Sequence, residues 1–64
     1  MHNKLENKKY YVIESLKEVH LAQYRDDTVY GSAFLLIGDD EPLQTQYVDE
    51  VKAGPFTLEG LLNA

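Results

Sequence analysis

Hydrophobic and polar residues alternate through much of the first half of the chain, and this pattern predicts strands. The segment "YYVIES" after Lys9 is rich in aromatic and β-branched residues, which favour an extended backbone. A second alternating segment covers residues 18–25, and the apolar segment "TVYGSAFLLI" covers residues 28–37. Because successive side chains of a strand point to opposite faces, we predict three strands, near 9–14, 18–25 and 28–37.

Residues 16–25 also carry a helix signal. Ser15 and Glu18 have the S-x-x-E spacing of a capping box, which would begin a helix at the residue after the serine. Val19 and Leu21, however, alternate with His20 and Ala22, whereas the apolar face of a helix needs spacings of three and four. The strand is the favoured interpretation, and the helix stays open as its alternative.

A two-residue turn at Asp26 and Asp27 would close a hairpin and fix its register. Tyr24 would then lie opposite Val29, and a tight turn around Leu16 would add the first strand to form a meander. One face of this sheet is predicted to be the core: Tyr11, Ile13, Val19, Leu21, Tyr30, Phe34 and Leu36.

The second face of the predicted sheet is less polar than a solvated face should be. Apolar side chains on both faces of so short a chain require a cover, either from the C-terminal segment or from a second subunit. Tyrosine supplies the rigid contact area that interfaces favour. The residues predicted to mediate self-association on this face are Tyr10, Val12, Tyr24 and Val29.

The second half of the chain predicts a helix over about 40–53. Asp39 or Asp40 can cap it, Pro42 is tolerated in a first turn, and Gly54 with Pro55 provides a stop. Helical spacing of apolar residues supports this prediction, with Leu43, Tyr47, Val48 and Val51. Thr57 is the expected cap of a short C-terminal helical turn, whose apolar residues are Leu58, Leu61 and Leu62.

The predicted fold class is therefore α+β: a three-stranded antiparallel β-meander, one α-helix and a short C-terminal helical turn. The 64 residues form one domain, near the lower limit at which a chain buries enough surface to fold unaided. Residues 1–7 are polar and without periodicity, and we expect them to be a disordered leader.

Charge is unevenly distributed along the chain. Residues 1–9 carry a net charge of +2, whereas residues 26–64 carry eight carboxylates and one lysine, a net charge of −7. A nucleic-acid binder needs a basic face, and the whole chain has only six Lys and Arg. The composition therefore argues against direct nucleic-acid binding.

The sequence gives weaker evidence about the cellular compartment of the protein. The chain has no cysteine, so a disulfide framework and a thiolate zinc site are both excluded. The N-terminal segment lacks the continuous apolar stretch of a signal peptide, and the apolar run over residues 33–37 is too short to span a bilayer. We expect a cytoplasmic protein, in the host cytoplasm if the source is viral, with no membrane partner.

No motif in the sequence indicates a catalytic function. A strand over residues 28–37 would separate the Asp26–Asp27 pair from the Asp39–Asp40 pair by about 30 Å, too far for a shared metal or a carboxylate dyad. These pairs are predicted to be turn and cap residues. His2 and His20 are the only histidines, and no phosphate-binding loop is present. We predict no enzyme activity, no cofactor, no metal and no catalytic residue.

The preferred function is an acidic protein-binding module. It would act as a small inhibitor or modulator, of the DNA-mimicking phage or mobile-element type, that docks on a basic surface of a host nucleic-acid enzyme. The predicted partner-binding residues are the carboxylates and one aromatic anchor: Asp39, Asp40, Glu41, Asp49, Glu50 and Phe56.

Two alternatives remain beside it. One is a structural or assembly subunit that forms a homodimer or higher oligomer through the two-sided apolar sheet. The other is an antitoxin-like partner that folds on binding.

Overall fold

The computed structural model describes residues 5–39 and 41–63, and an antiparallel sheet forms most of this part of the chain. Within it the strand order is β4-β3-β2-β1-β5. A 3-10 turn at Thr45–Tyr47 connects the fourth strand to the fifth, and the helix α1 follows the sheet. The elements are β1 (Tyr10–Ser15), β2 (Glu18–Thr28), β3 (Gly31–Leu36), β4 (Pro42–Gln44), β5 (Glu50–Phe56) and α1 (Leu58–Leu62).

The α+β class and the antiparallel meander are confirmed, but the predicted number of three strands is wrong, since β4 and β5 extend the sheet to five strands within the described residues. The short C-terminal helix is also confirmed. Thr57 is its N-cap, and its Oγ1 accepts a hydrogen bond from the N–H of Gly60 at 3.0 Å.

The predicted helix over 40–53 is wrong. Leu43 lies opposite Phe34 in the pairing of β4 with β3, and Val51 lies opposite Ile13 in the pairing of β5 with β1. Leu43 and Val48 do pack against the core, but from β4 and from the segment after the 3-10 turn. Sheet pairing and core contact therefore override a local apolar spacing that resembles a helix.

The turn between β1 and β2 lies where it was predicted, around Leu16. Ser15 pairs with Glu18, and the two turn residues, Leu16 and Lys17, have positive φ angles of 52° and 66°. The same sign at both central positions is typical of the tight two-residue hairpin turn that matches the twist of its strands.

The turn between β2 and β3 does not lie at Asp26 and Asp27, so that prediction is wrong. β2 continues to Thr28, which pairs with Gly31, and the two aspartates occupy an irregularity in the pairing with β3. The hydroxyl of Thr28 accepts the N–H of Tyr30 at 3.2 Å and donates to the carbonyl of Gly31 at 2.7 Å. Gly31 supplies a φ of 81°, which glycine adopts without steric cost.

This change of register exchanges the two faces of β2. Tyr24 lies opposite Phe34 rather than Val29, so Tyr24 enters the core, and the predicted placement of Tyr24 on the second face is wrong. Val19 and Tyr30 were predicted to be core residues but are 60% and 58% exposed. A shift of pairing by one residue moves every side chain of a strand to the other face.

The core lies on one face of the sheet and is largely aromatic. The rings of Tyr11, Tyr24 and Phe34 meet edge to face, with centroid distances between 5.3 and 6.4 Å. Such aromatic pairs contribute about 0.5–1.5 kcal/mol each beyond their buried area. The cluster of buried residues comprises Tyr11, Ile13, Ala22, Tyr24 and Phe34, with Leu5, Leu36, Leu43 and Val48 packed against it.

Residues 5–7, which belong to the predicted leader, lie against the sheet. Leu5 packs on the core, and the N–H of Glu6 donates to the hydroxyl of Tyr11 at 2.8 Å. The side-chain oxygen of Asn7 accepts the N–H of Asp26 at 3.0 Å. The rest of the predicted leader lies outside the described residues.

Candidate functional site

The antiparallel connectivity brings most of the carboxylates together at one end of the sheet. Because consecutive strands reverse direction, the β1–β2 turn, the β3–β4 connection and the start of β5 all face the end where β2 begins. The β3–β4 connection is set back from this end, because β3 stops opposite Ala22 rather than Glu18. We call this end the acidic end. Its charged residues carry a net charge of −4: Glu14, Glu18, Asp39, Glu41, Asp49 and Glu50, with Lys17 and Lys52.

The opposite end of the sheet, the neutral end, carries balanced charge. The guanidinium of Arg25 bonds Asp27 through two N–H groups at 2.7 and 2.9 Å. The charged residues here are Glu6, Lys8, Lys9, Arg25, Asp26 and Asp27, with a net charge of zero, and Glu59 of α1, which follows this end of β5, adds one negative charge. Among residues 5–39 and 41–63, the acidic end therefore carries a net charge of −4 and the rest of the fold a net charge of −1.

Backbone and side-chain hydrogen bonds fix the geometry of the acidic end. The carboxylate of Asp49 accepts the N–H of Leu16 at 3.2 Å, and the N–H of Asp49 donates to the carbonyl of Glu14 at 2.8 Å. The buried hydroxyl of Ser15 donates to the carbonyl of Tyr47 at 2.7 Å. These bonds hold the β1–β2 turn against the segment that leads into β5.

One lysine at this end forms ion pairs with two carboxylates. The ammonium of Lys52 lies 3.3 Å from Glu14 and 3.7 Å from Glu50. The hydrogen bond with Glu14, together with the negative charges of Glu14 and Glu50, raises the pKa of Lys52. Lys52 is therefore positively charged at neutral pH, and the group of three retains one negative charge.

Four of the predicted partner-binding carboxylates lie at the acidic end, as two pairs at opposite edges of the sheet. Asp39, Glu41, Asp49 and Glu50 are all exposed at the acidic end, and the carboxylate of Asp39 also accepts the N–H of Glu41 at 3.1 Å. Asp40 lies outside the described residues. The fold thus turns both pairs toward the same end of the sheet, with β2 and β1 between them.

Phe56, the predicted aromatic anchor, does not join them. It lies at the far end of β5, opposite Tyr10, whereas Glu50 lies opposite Glu14, and four residues of β1 span about 13 Å. It is 36% exposed, but it belongs to the neutral end. The structure therefore separates Phe56 from the carboxylates with which it was expected to act.

The predicted self-association residues divide among three places. Tyr10 and Val12 lie half-buried on the sheet face turned away from the core, which we call the outer face. Val29 is 93% exposed at the β2–β3 turn, and Tyr24 is in the core. The expected apolar second face exists, with a partly different set of side chains: Tyr10, Val12, Val19, Leu21, Leu35 and Ile37.

Three exposed aliphatic residues at the acidic end were not predicted as part of any site. Leu16 is 85% exposed at the β1–β2 turn, and Val19 and Ile37 are each 60% exposed on the outer face. Val19 had been assigned to the core. The exposure of Leu16 could have been expected from the predicted tight turn, whereas that of Val19 depended on the register of β2.

Residues 5–39 and 41–63 contain no group of three or more His, Asp or Glu that could hold a metal ion. In the same residues, no helix combines the length and the apolar composition needed to cross a bilayer.

Comparison with known proteins gives no assignment. No protein-family model matches the chain, and neither a curated protein nor a solved structure matches it. The function proposed below rests on the arrangement of charged and apolar residues in the fold.

Proposed function

We propose that the protein is a non-enzymatic binding module that docks its acidic end on the basic surface of another protein, with a nucleic-acid enzyme as the class of partner. The observation that carries this proposal is that, among the described residues, six carboxylates and two lysines face one end of the sheet. The six charged residues at the other end balance one another, and Glu59 of α1 adds one negative charge there. Negative charge is therefore concentrated at one end of the sheet, and the order of charges along the sequence shows this concentration only in part.

A concentrated charge of one sign affects binding through its long-range field. It steers encounter with a surface of opposite sign and disfavours partners of the same sign. Nucleic-acid enzymes carry such surfaces because they neutralise phosphates with Lys and Arg. A rigid set of carboxylates spread over neighbouring strands, which lie about 4.8 Å apart, is a candidate occupant of a cleft of this kind.

The proposed mechanism is steric and electrostatic. By occupying a basic cleft, the module would exclude the nucleic acid and so inhibit or modulate the enzyme, in the manner of a DNA mimic. No covalent step is required. The hydrogen bonds of Asp39 and Asp49 to turn N–H groups support this mechanism, because they fix the backbone at these carboxylates before binding.

Matched neutral variants provide the test. The double variant Asp39→Asn and Glu41→Gln removes two charges from the acidic end, and Asn retains the oxygen that accepts the N–H of Glu41. The control Glu6→Gln and Asp26→Asn removes two charges from the neutral end. Both variants have the same net charge, so any difference between them reports the position of the charge.

Each tagged variant is used to capture proteins from cell extract at low and high salt, followed by mass spectrometry and binding measurements on the purified partner. We expect wild type and control to bind a basic nucleic-acid enzyme at low salt, and the acidic-end variant to bind it about tenfold or more weakly, since each close charge pair contributes more than about 1 kcal/mol. Equal binding by both variants would refute the proposal.

A homodimer or assembly subunit is the second candidate, favoured by the apolar outer face. Val12 of β1 lies directly opposite Leu21 of β2 on this face. Leu35 and Ile37 lie on the other side of β2, in β3 and just after it. Sedimentation of the purified chain would show dimers whose stability is insensitive to salt. Replacement of Val12 by Thr should weaken such dimers and leave the capture of a basic protein unaffected.

A further inference from the structure

The exposed aliphatic side chains of the acidic end lie beside its carboxylates. Ile37 donates its N–H to the carbonyl of Leu21, the outer-face neighbour of Val19 two positions along β2. This places Val19 and Ile37 diagonally across adjacent strands, a separation of about 7–8 Å between their Cα atoms. Val19 also lies opposite Glu14, so apolar and anionic side chains alternate on this part of the surface.

Leu16 is a third exposed aliphatic residue at this end of the sheet and lies in the β1–β2 turn. It is the most exposed of these residues, and its backbone is left-handed, with a φ of 52°. Asparagine or glycine is the usual residue at this position of a tight hairpin turn. A leucine there is unfavourable for the turn and, in the folded chain, is presented almost entirely to solvent.

We infer that Leu16, Val19 and Ile37 form the apolar part of the docking surface, and that the partner is a protein presenting an apolar pocket bordered by Lys or Arg. This inference rests on the proposed function and adds the anchor that Phe56 does not supply. Interfaces commonly combine a few apolar anchors with a surrounding polar rim. Here the anchor residues are already exposed, and the rim is anionic.

Charge decides among the possible occupants of this surface. A second copy meeting it with its own acidic end would bring two net charges of −4 together, and like charges in close contact are unfavourable. Nucleic acid is repelled for the same reason, and so is the anionic leaflet of a membrane. A protein surface with cationic residues around an apolar pocket complements both the anionic and the apolar side chains of this surface.

The test uses two synthetic peptides of equal length and equal positive charge. One alternates leucine with lysine, and the other alternates serine with lysine. Leu16→Asn removes the anchor with a residue that tolerates the left-handed turn. Leu62→Asn is the matched control, because Leu62 is also exposed, at 76%, but lies in α1 beyond the neutral end of β5.

We expect wild type and Leu62→Asn to bind the leucine–lysine peptide about tenfold more tightly than the serine–lysine peptide, a typical effect of a good apolar anchor. Leu16→Asn should bind both peptides with the weaker affinity. Its thermal midpoint should not fall, which separates loss of an anchor from loss of the fold. Methyl NMR shifts of Val19 and Ile37 should change only with the leucine–lysine peptide.

Failure of the inference differs from failure of the proposed function. If both peptides bind wild type with equal, salt-dependent affinity, the docking surface is purely electrostatic and the inference is refuted. The same conclusion follows if Leu16→Asn behaves as Leu62→Asn does. If neither peptide binds, both the proposed function and the inference are refuted.

Discussion

The carboxylate of Asp49 accepts a hydrogen bond from the N–H of Leu16 across 33 positions of the sequence, at 3.2 Å. This bond joins the turn between the first two strands to the segment that enters the last strand. It also places a negative charge at the exposed leucine that we propose as an anchor. The pair of Asp49 and Leu16 therefore contributes both to the stability of the fold and to the proposed binding, and substitutions can distinguish these two contributions.

Removal of the Asp49 side chain should destabilise the fold modestly. Asp49→Ala loses the bond to the N–H of Leu16, and we expect the free energy of unfolding to fall by about 0.5–1.5 kcal/mol. Asp49→Asn keeps an oxygen acceptor and should change it by less. Urea denaturation of the three proteins gives the comparison. Equal stability of the Ala and Asn variants would contradict a structural role for this bond.

Replacement of Leu16 by Asn should stabilise the isolated chain. Asn adopts the left-handed conformation more readily than Leu, so we expect a gain of up to about 1 kcal/mol in the free energy of unfolding. The side chain of Leu16 is 85% exposed, so little packing is lost. Thermal or urea denaturation measures the change. A clear loss of stability would show that Leu16 packs within the fold rather than serving as an exposed anchor.

Gly54 and Gly38 provide a matched pair for backbone strain and packing. Both have positive φ angles, 121° and 87°. A Cβ on Gly54 would lie 2.6 Å from Cδ1 of Tyr11 and 2.8 Å from the carbonyl oxygen of Tyr10, whereas a Cβ on Gly38 would meet nothing within 4 Å.

We therefore expect Gly54→Ala to lower the free energy of unfolding by about 2–4 kcal/mol, through backbone strain and overpacking together. Gly38→Ala should cost about 1–2 kcal/mol, from backbone strain alone. Denaturation curves of wild type and the two variants measure these changes in the free energy of unfolding. Similar values for the two variants would mean that the close approach of β5 to Tyr11 contributes little to stability.

The pair of Arg25 and Asp27 predicts a pH effect at the neutral end. The hydrogen bond from Arg25, and then its positive charge, hold the pKa of Asp27 below its ordinary value. A carboxyl whose pKa is lowered by folding stabilises the fold above its unfolded pKa of about 3.9. This contribution is lost as the pH falls through the lower, folded pKa.

Arg25→Met should move the pKa of Asp27 back toward its ordinary value. An NMR titration of the carboxyl carbon of Asp27, in wild type and variant, measures the shift directly. An identical titration curve in the two proteins would show that the guanidinium does not set this pKa.

Tyr24 shows most clearly why part of the fold could not be predicted. Its alternation with its neighbours predicts a strand, and a strand is observed. Its face relative to β3 depended on the irregularity between Arg25 and Thr28 in the pairing with β3. Moving the turn from Asp26–Asp27 to Val29–Tyr30 alone shifts the pairing by an even number of positions and leaves each side chain on its face. A shift of register by one residue costs little locally but exchanges the two faces.

The structure places the predicted site residues differently from one another. Asp39, Glu41, Asp49 and Glu50 are exposed, as acidic residues near turns usually are. Their meeting at one end could not be foreseen while residues 40–53 were assigned to a helix. Phe56 was chosen for local reasons and lies at the other end.

The sequence by itself determined the net charge, the strands of the first half, the turn at Leu16 and the cap at Thr57, since each depends on residues close together in the chain. Only the tertiary structure decided the strand character of β4 and β5, the face of Tyr24 and the charge polarity of the sheet. These depend on pairing between segments far apart in the sequence, where burial of the aromatic core selects the register.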